Sequence, residues 1–311
     1  MNKRGLSIGG IILVILFIIF IAIASYFIYS LYNDYYSPAK SFNVNYTQLE
    51  SQPSYLNSEI QYFPNMRFNH NNLSYFIDSS CPIERLDNIK EAFSIIKNRT
   101  EIISFYESGL ESDINVACSE ESLEEEENTF IAGSGGAEGE VPFSGIYYIL
   151  PKGNVTLYKD INCQSPIVEI HEILHVLGFN HSFSETSIMY PIASCNQALT
   201  NDIIAELKRL YLIPALPDLY FSNITGSKRG RYVNLNFSIR NQGLKESGDI
   251  IIILYGNNKD INKFNLQSIE PGNGIAYSIQ NIRTPYNLLK LVIQNGKELD
   301  ENNNMAELSL D

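Results

Sequence analysis

Hydrophobic and polar positions follow four successive patterns along the chain. Residues 7–31 are almost continuously apolar, whereas residues 32–65 are polar and tyrosine-rich without a sustained period. Across residues 66–214, helical periods alternate with short strand-like runs. Across residues 215–311 the helical period is gone, and short apolar runs are separated by turn residues. The pattern therefore predicts an apolar helix, a connecting segment and two folded domains.

The apolar segment predicts a transmembrane helix. It carries no charged residue between Arg4 and Asp34, and as a helix it is long enough to cross roughly 30 Å of hydrocarbon. Because basic residues precede it, the positive-inside rule leaves residues 1–6 in the cytoplasm and the remainder of the chain outside. Residues 22–24 also fit the cleavage site of a secretory signal, which would release a secreted protein, and KRGLS resembles a prepilin-type processing site. All three interpretations export the rest of the chain.

Two domains of different class are expected outside the membrane, after a juxtamembrane stalk at residues 32–65 with little regular structure. In the first domain, at residues 66–214, strands and helices alternate in an order that predicts a mixed sheet flanked by helices. The predicted strands lie near residues 73–78, 102–106, 114–117, 145–150 and 155–158, and the predicted helices cover residues 82–99, 166–178 and 200–212.

The second domain, at residues 215–311, is predicted to be all-β. Apolar runs such as DIIIILYG alternate with turn signals such as DENNN. This spacing is typical of a small antiparallel sandwich of about seven strands.

Composition and charge narrow the choice of partners. The chain has 311 residues, which suits two folded units, and a net charge of −13 that argues against nucleic acid as a partner. Its four cysteines all lie in the exported part, where disulfides persist, and four cysteines allow three pairings.

Histidines are concentrated in one stretch, HEILHVLGFNH, which holds three of the four in the chain. On a helix His171 and His175 point to one side, as a shared metal ion requires. Gly178 can take a positive φ, end the helix and turn the chain back so that His181 supplies a third nitrogen. Glu172 is one step from the first histidine, close enough to reach a water on the metal.

This arrangement predicts a catalytic zinc site. Three imidazoles leave one tetrahedral position open, whereas a structural zinc site is closed by four ligands. Zinc supplies an activated water and polarises a carbonyl, and Glu172 would act as the general base. The predicted reaction is hydrolysis of an amide bond. The full HExxHxxGxxH pattern fixes five positions, so a purely structural explanation is set aside.

The same residues resemble the metzincin clan of zinc peptidases, whose signature is completed here by Met189 in SIMYP. Within the clan, Ser182, the IMYP form of the turn and the LTNDI opening of the last helix resemble matrixins. This likeness covers about residues 68–213. It implies an α+β metzincin-like fold with a mixed, mostly parallel sheet, an active-site helix and a C-terminal helix.

The resemblance also implies roles for further residues. Met189 would form an apolar floor beneath the ligands without binding the metal. Protein or peptide substrates would lie against an edge strand such as residues 145–150, and residues 191–193 would border the specificity pocket. The cysteines would pair as Cys81–Cys118, at the ends of neighbouring parallel strands, and Cys163–Cys195, bracing the active-site helix and the methionine turn.

Departures from the family pattern matter too. His70 is the only remaining histidine, so the second, structural zinc of vertebrate matrixins has no ligands here and a single zinc is expected. No cysteine-switch motif precedes the domain. The acidic run at residues 119–128 is interpreted as a solvated loop in preference to a calcium site, which is possible but unsupported, and GSGGAEGE after it as a flexible surface loop.

The second domain resembles the CARDB adhesion module, an immunoglobulin-like sandwich. The matching cues are PDL at residues 217–219, NQG at 241–243 and DENNN at 300–304. The likeness implies a role in spacing or in binding a surface ligand.

The combined interpretation is a membrane-anchored, extracellular, zinc-dependent endopeptidase with a β-sandwich appendage. The alternative is a surface adhesion protein that binds zinc without turnover. Glu172 favours the enzyme, because a degenerate peptidase usually loses its base first.

Overall fold

The computed structural model describes residues 8–46, 60–119, 124–126, 129–158 and 163–310. The predicted cytoplasmic residues 1–6 lie outside these ranges, and so does most of the acidic run. The described residues 124–126 of this run form a short strand instead of a loop, whereas the solvation of the run stays a prediction.

A single apolar helix, α1 (Ile8–Tyr35), opens the described chain. Its apolar side chains are exposed along its length, as in Leu13 and Phe17. Within the described ranges it is the one helix long and apolar enough to cross a membrane, over Gly9–Tyr35. Its length and composition suit a single membrane span or a signal sequence.

Three further helices lie where the periodicity predicts them. They are α2 (Ile83–Thr100), α3 (Ile167–Val176) and α4 (Asn201–Leu212). Helix α2 buries a stripe at helical spacing that includes Ile89, Phe93 and Ile96, and Arg85 on it forms a buried ion pair of 3.0 Å with Glu169 on α3.

The strands of the described residues form five sheets. Those before the last helix are β1 (Lys40–Ser41), β2 (Asn43–Tyr46), β3 (Met66–Phe68), β4 (Asn72–Ile77), β5 (Ser104–Glu107), β6 (Ile114–Cys118), β7 (Glu124–Glu126), β8 (Thr129–Phe130), β9 (Gly133–Glu138), β10 (Tyr148–Leu150) and β11 (Lys152–Leu157). Those after it are β12 (Leu219–Arg229), β13 (Tyr232–Asn241), β14 (Ile250–Gly256), β15 (Lys259–Leu266), β16 (Gly274–Arg283), β17 (Leu288–Gln294) and β18 (Met305–Ser309).

The first domain has a five-stranded sheet in the order β5-β4-β6-β11-β9. The first four strands are parallel neighbours, and β9 alone is antiparallel, against β11. The predicted mixed, mostly parallel sheet is confirmed. Helices α2, α3 and α4 pack with this sheet around one core that includes Leu73, Ile89 and Leu174.

Two details of this sheet differ from the prediction. GSGGAEGE is not a loop: its first six residues form β9, the edge strand beside α3. Residues 145–150 do not form the sheet edge, because β10 covers only Tyr148–Leu150 and pairs with β3 in a separate two-stranded sheet. Small residues in β9 show no apolar alternation, so the pattern that identifies a strand is missing from the sequence.

The second domain is the predicted sandwich, in which β1 and β2 from the preceding segment join the seven strands β12 to β18. One sheet has the order β1-β12-β13-β16 and the other β15-β14-β17-β18-β2. Alternating residues of β13 point inward, among them Val233, Leu235 and Phe237, and together with the facing sheet they make a second core.

The predicted stalk is wrong for residues 40–46. Strand β1 adds to the edge of one sandwich sheet through Lys40 and Ser41, and β2 adds to the edge of the other, where Tyr46 lies opposite Ala306. Phe42 between them is buried in the sandwich core. The segment before the first domain therefore adds two edge strands and one core residue to the second domain.

The two domains pack against each other through a small third cluster. Tyr147 and Ile149 of the first domain meet Leu244 of the second, and Ser144 Oγ donates a hydrogen bond of 2.9 Å to the Gln242 carbonyl. The region around β10, predicted as the substrate strand, instead contributes to this interface.

Candidate metal centre

Helix α3 holds two of the clustered histidines side by side. His171 and His175 are one helical turn apart, and their Nε2 atoms are 2.9 Å from each other. All ten residues of α3 are buried, with Ile173 and Leu174 in the core. Because positions i and i+4 share one helix face, packing of the apolar residues fixes both imidazoles in one direction.

A glycine turn brings in the third histidine. Gly178 has a φ of 94°, which favours glycine, and an added Cβ would meet Met66 at 2.9 Å. The amide of Phe179 donates to the Leu174 carbonyl at 3.0 Å, which ends the helix. Beyond this turn, His181 Nε2 lies 3.2 Å from His175 Nε2. The backbone at Gly178 thus ends the helix and leads the chain toward His181.

Hydrogen bonds on the far side of the His171 and His175 rings orient two of the three converging nitrogens. His171 Nδ1 lies 2.7 Å from the Ile188 carbonyl and His175 Nδ1 lies 2.8 Å from the Phe179 carbonyl. A carbonyl only accepts, so each Nδ1 carries the proton and each Nε2 presents a lone pair. Burial lowers the pKa of both histidines to about 4, which keeps them neutral at pH 7.

The donor set fits a zinc ion. Two Nε2 lone pairs facing each other at 2.9 Å repel unless a cation lies between them. Tetrahedral zinc with Zn–N bonds of 2.0–2.1 Å holds its nitrogens about 3.3 Å apart, close to the spacing here. Among the described residues, these three histidines are the one group of histidine, cysteine and acidic side chains able to hold a metal.

Glu172 is buried beside this cluster against the glycine strand β9. An added Cβ at Gly133 would meet the Glu172 side chain at 2.6 Å, and one at Gly135 would overlap its carbonyl. Burial raises the pKa of Glu172 to about 8, against a smaller lowering by a hydrogen bond from the Gly135 backbone. A bound cation would lower this pKa again by attracting the carboxylate form.

Met189 lies on the turn beneath the histidines. It is 1% exposed, its carbonyl accepts a hydrogen bond of 2.8 Å from the Ser182 amide, and the preceding carbonyl of Ile188 holds His171. The turn is therefore tied both to the third-ligand loop and to the first ligand.

Two disulfides brace the first domain. Cys163–Cys195 links the chain just before α3 to the segment after the methionine turn, and Cys81–Cys118 links the start of α2 to the end of β6. Both are pairings that the matrixin resemblance implies.

Tyr62 contacts the histidine cluster, although no pattern in the sequence predicts this. Its hydroxyl lies 2.9 Å from His175 Nδ1, and its amide donates to the Gly178 carbonyl at 3.0 Å. Tyr62 lies in the segment predicted as a stalk, where many tyrosines occur without a period, and no local signal distinguishes it.

His70, the remaining histidine, lies away from the cluster. Its Nε2 is 3.2 Å from an Asp113 oxygen, and its Nδ1 is 2.7 Å from the Asn69 side chain. It shares Asp113 with Ser74, which donates through both its amide and its hydroxyl at 2.7 Å. His70 therefore helps to satisfy a carboxylate at the sheet end.

Two protein-family models match the chain. The matrixin model matches residues 67–212, which include the three histidines, Glu172 and the methionine turn, and the CARDB model matches residues 216–307. No curated protein matches the chain.

Proposed function

We propose a specific function for this protein, which builds on its two domains. Residues 67–212 are a matrixin domain and residues 216–307 a CARDB domain, and the matrixin domain supports a zinc metallopeptidase in general. The protein is a membrane-anchored, outward-facing endopeptidase. His171, His175 and His181 hold one zinc ion, and Glu172 is the general base.

The observation that carries the proposal is the convergence of three Nε2 atoms beside a buried carboxylate. Three protein ligands leave a tetrahedral ion one open position, and catalytic zinc sites share this feature. His181 is exposed whereas His171 and His175 are buried, so the cluster opens toward solvent on the side of the third ligand. A substrate would approach from that side.

Glu172 supplies proton transfer in this mechanism. Zinc, when bound, makes a coordinated water acidic near neutral pH and polarises the scissile carbonyl. The Glu172 carboxylate takes the proton from the attacking water and delivers it to the leaving amine. The glycine strand leaves the carboxylate little room to move, because both Gly133 and Gly135 pack against Glu172.

We propose that the substrate binds along β9. Within the described residues β9 pairs with no strand other than β11, so no strand covers its outer edge beside α3, although the Gly135 backbone already bonds to Glu172. An extended peptide would add to this edge as a further strand. Ile192, 66% exposed beyond the methionine turn, would border the specificity pocket.

Helix α1 would anchor the protein with its N-terminus in the cytoplasm. This orientation rests on the basic residues before α1 and on the two disulfides after it, since disulfides persist outside the cytoplasm.

The mechanism is tested by cleavage of an unfolded protein with the purified full-length chain. Glu172→Gln should lower kcat/KM by at least 10²-fold, the usual contribution of a general base, while the zinc content stays at one per chain. Glu185→Gln, at an exposed carboxylate on the loop after His181, is the matched control and should keep full activity.

The same cleavage assay distinguishes the proposed peptidase from the alternative, a zinc-binding adhesion protein without turnover. Removing the zinc with a chelator should abolish cleavage, and adding zinc back should restore it. Cleavage that survives Glu172→Gln would contradict the assigned base. A wild-type chain that binds one zinc and cleaves nothing would support the adhesion protein instead.

A further inference from the structure

The outer end of α1 is clamped onto the sandwich. Arg231, in the turn between β12 and β13, reaches Asp34 Oδ2 at 3.1 Å and Ser30 Oγ at 2.6 Å, both on α1. Gly230 has a φ of 55° and lies so close to the helix that an added Cβ would overlap Asp34. The sandwich thus packs directly against the C-terminal end of α1.

Helix length puts this clamp at the depth of the lipid headgroups. The candidate span of 27 residues is about 40 Å long, whereas the hydrocarbon core is about 30 Å thick and needs about 20 residues. The last turns of α1, where Ser30 and Asp34 lie, therefore extend into the headgroup layer. The turn that carries Arg231 lies there too.

Basic side chains concentrate at this end of the sandwich. In one sheet Lys40 lies opposite Lys228, and Tyr232 lies opposite both Arg229 and Arg283. This concentration occurs in a chain whose net charge is −13.

Two of these basic side chains have hydrogen-bonding or ion-pair partners within the fold. Lys228 is buried and bonded to the Tyr286 carbonyl and to Asn287, and Arg231 pairs with Asp34. The other three cations, Lys40, Arg229 and Arg283, are exposed, and they form no ion pair with any residue that the structure describes. We call these three the basic rim.

We propose that the basic rim binds the anionic headgroups of the bilayer that α1 crosses; this rests on the membrane anchoring proposed above. Three exposed cations at headgroup depth match a negatively charged lipid surface, and each basic residue near such a surface strengthens binding about fivefold. The rim is also continuous with the membrane helix, so any lipid around α1 meets it.

The rim would set the height of the peptidase above the membrane. Strand β13 runs from Tyr232 at the rim to Asn241, next to Gln242 at the domain interface, and ten residues of strand span about 33 Å. With the sandwich held against the bilayer, the metal centre stays on the far side of it.

The test measures lipid binding by the full-length chain in detergent, with phosphatidylglycerol and phosphatidylcholine as probes and native mass spectrometry as readout. Wild type should retain phosphatidylglycerol in preference to phosphatidylcholine. Combined Lys40→Gln, Arg229→Gln and Arg283→Gln should weaken phosphatidylglycerol binding roughly 100-fold. Combined Lys40→Arg, Arg229→Lys and Arg283→Lys, which keeps the charge, should retain it.

The matched control removes three exposed cations from the opposite end of the same domain, with Arg240→Gln, Lys245→Gln and Lys297→Gln. It should bind phosphatidylglycerol as wild type does. Equal affinity of wild type for the two lipids, or equal weakening by both triple variants, would overturn the proposal. Extraction of the chain from its membrane by alkaline carbonate would overturn the anchoring instead, and peptidase activity should be the same in all variants.

Discussion

Tyr62 lies at the outer nitrogen of His175, where the Phe179 carbonyl also lies. Partners of this kind orient a ligating ring and raise its basicity, and their loss typically costs 10- to 100-fold in metal affinity. Tyr62→Phe should therefore weaken zinc binding about tenfold, measured by competition with a chromophoric chelator. Tyr106→Phe, at an exposed tyrosine on β5, should leave the zinc affinity unchanged; an equal affinity for Tyr62→Phe would exclude a role at the metal.

Asp113 makes the first domain sensitive to acid. Burial pushes its pKa up, but hydrogen bonds from His70 and Ser74 outweigh burial and lower the pKa to about 2. A carboxyl whose pKa is lower in the folded state stabilises that state above its unfolded pKa of 3.8 and loses this contribution as the pH falls toward 2. Because Asp113 is partly exposed and water screens its interactions, we expect this contribution to be about 1 kcal/mol.

This effect predicts how one variant responds to pH. Asp113→Asn should lower the Tm of the first domain at pH 7, and its difference from wild type should shrink between pH 4 and pH 2. Calorimetry of both proteins across this range measures the difference. Asp87→Asn, at an exposed carboxylate on α2, should show no such convergence, and a constant gap for Asp113→Asn would refute the assignment.

Side chains in one local motif are readable from sequence, whereas their supporting partners are not. Three histidines and Glu172 lie within eleven residues, so helix geometry and one glycine turn are enough to predict that they meet. Tyr62 is more than a hundred residues from His175, and only the fold brings the two together.

At the scale of one element, β9 has two neighbouring glycines with different surroundings. An added Cβ at Gly135 would overlap the Glu172 carbonyl, whereas one at Gly136 would meet nothing within 4 Å. Gly135→Ala should therefore push β9 away from α3, lower kcat/KM at least tenfold and reduce the Tm of the first domain. Gly136→Ala carries the same change in strand propensity and should stay within twofold of wild type.

Equal effects of these two substitutions would mean that β9 does not pack on Glu172.

The composition of β9 also explains why the sequence predicts a different edge strand for the five-stranded sheet, at residues 145–150. GIYYIL has the β-branched and aromatic residues of a strand, whereas GSGGAE has none. Close approach to α3 excludes larger side chains at Gly133 and Gly135.

At the scale of the whole molecule, the sandwich depends on residues that precede the peptidase. Phe42 is 7% exposed between β1 and β2 and packs in the sandwich core. Phe42→Ala should destabilise the sandwich by about 3–5 kcal/mol, the usual cost of deleting a buried phenylalanine. Calorimetry of the full-length chain should show the lowered transition, while zinc content stays at one per chain.

Tyr36→Ala removes a ring that is 77% exposed, six residues earlier, and serves as the control. It should leave both transitions in place. An unchanged sandwich transition in Phe42→Ala would mean that residues 40–46 do not belong to this domain.

Domain class and the seven strands β12 to β18 are predictable here because they depend on local periods, as in the alternating β13. The placement of β2 is not, because NVNY is short and polar and its partner, β18, is at the opposite end of the chain. Local sequence carries no signal for so distant a pairing.

Because Tyr46 pairs with Ala306, the order of synthesis and the order of folding must differ. Domains fold as their residues leave the ribosome, N-terminal ones first. Strands β1 and β2 are made before the peptidase but find their partner sheets only after it is complete. Until then Phe42 has no core to enter. The first domain can therefore fold before the sandwich is complete, because the pairing of β2 with β18 has to wait for the last residues of the chain.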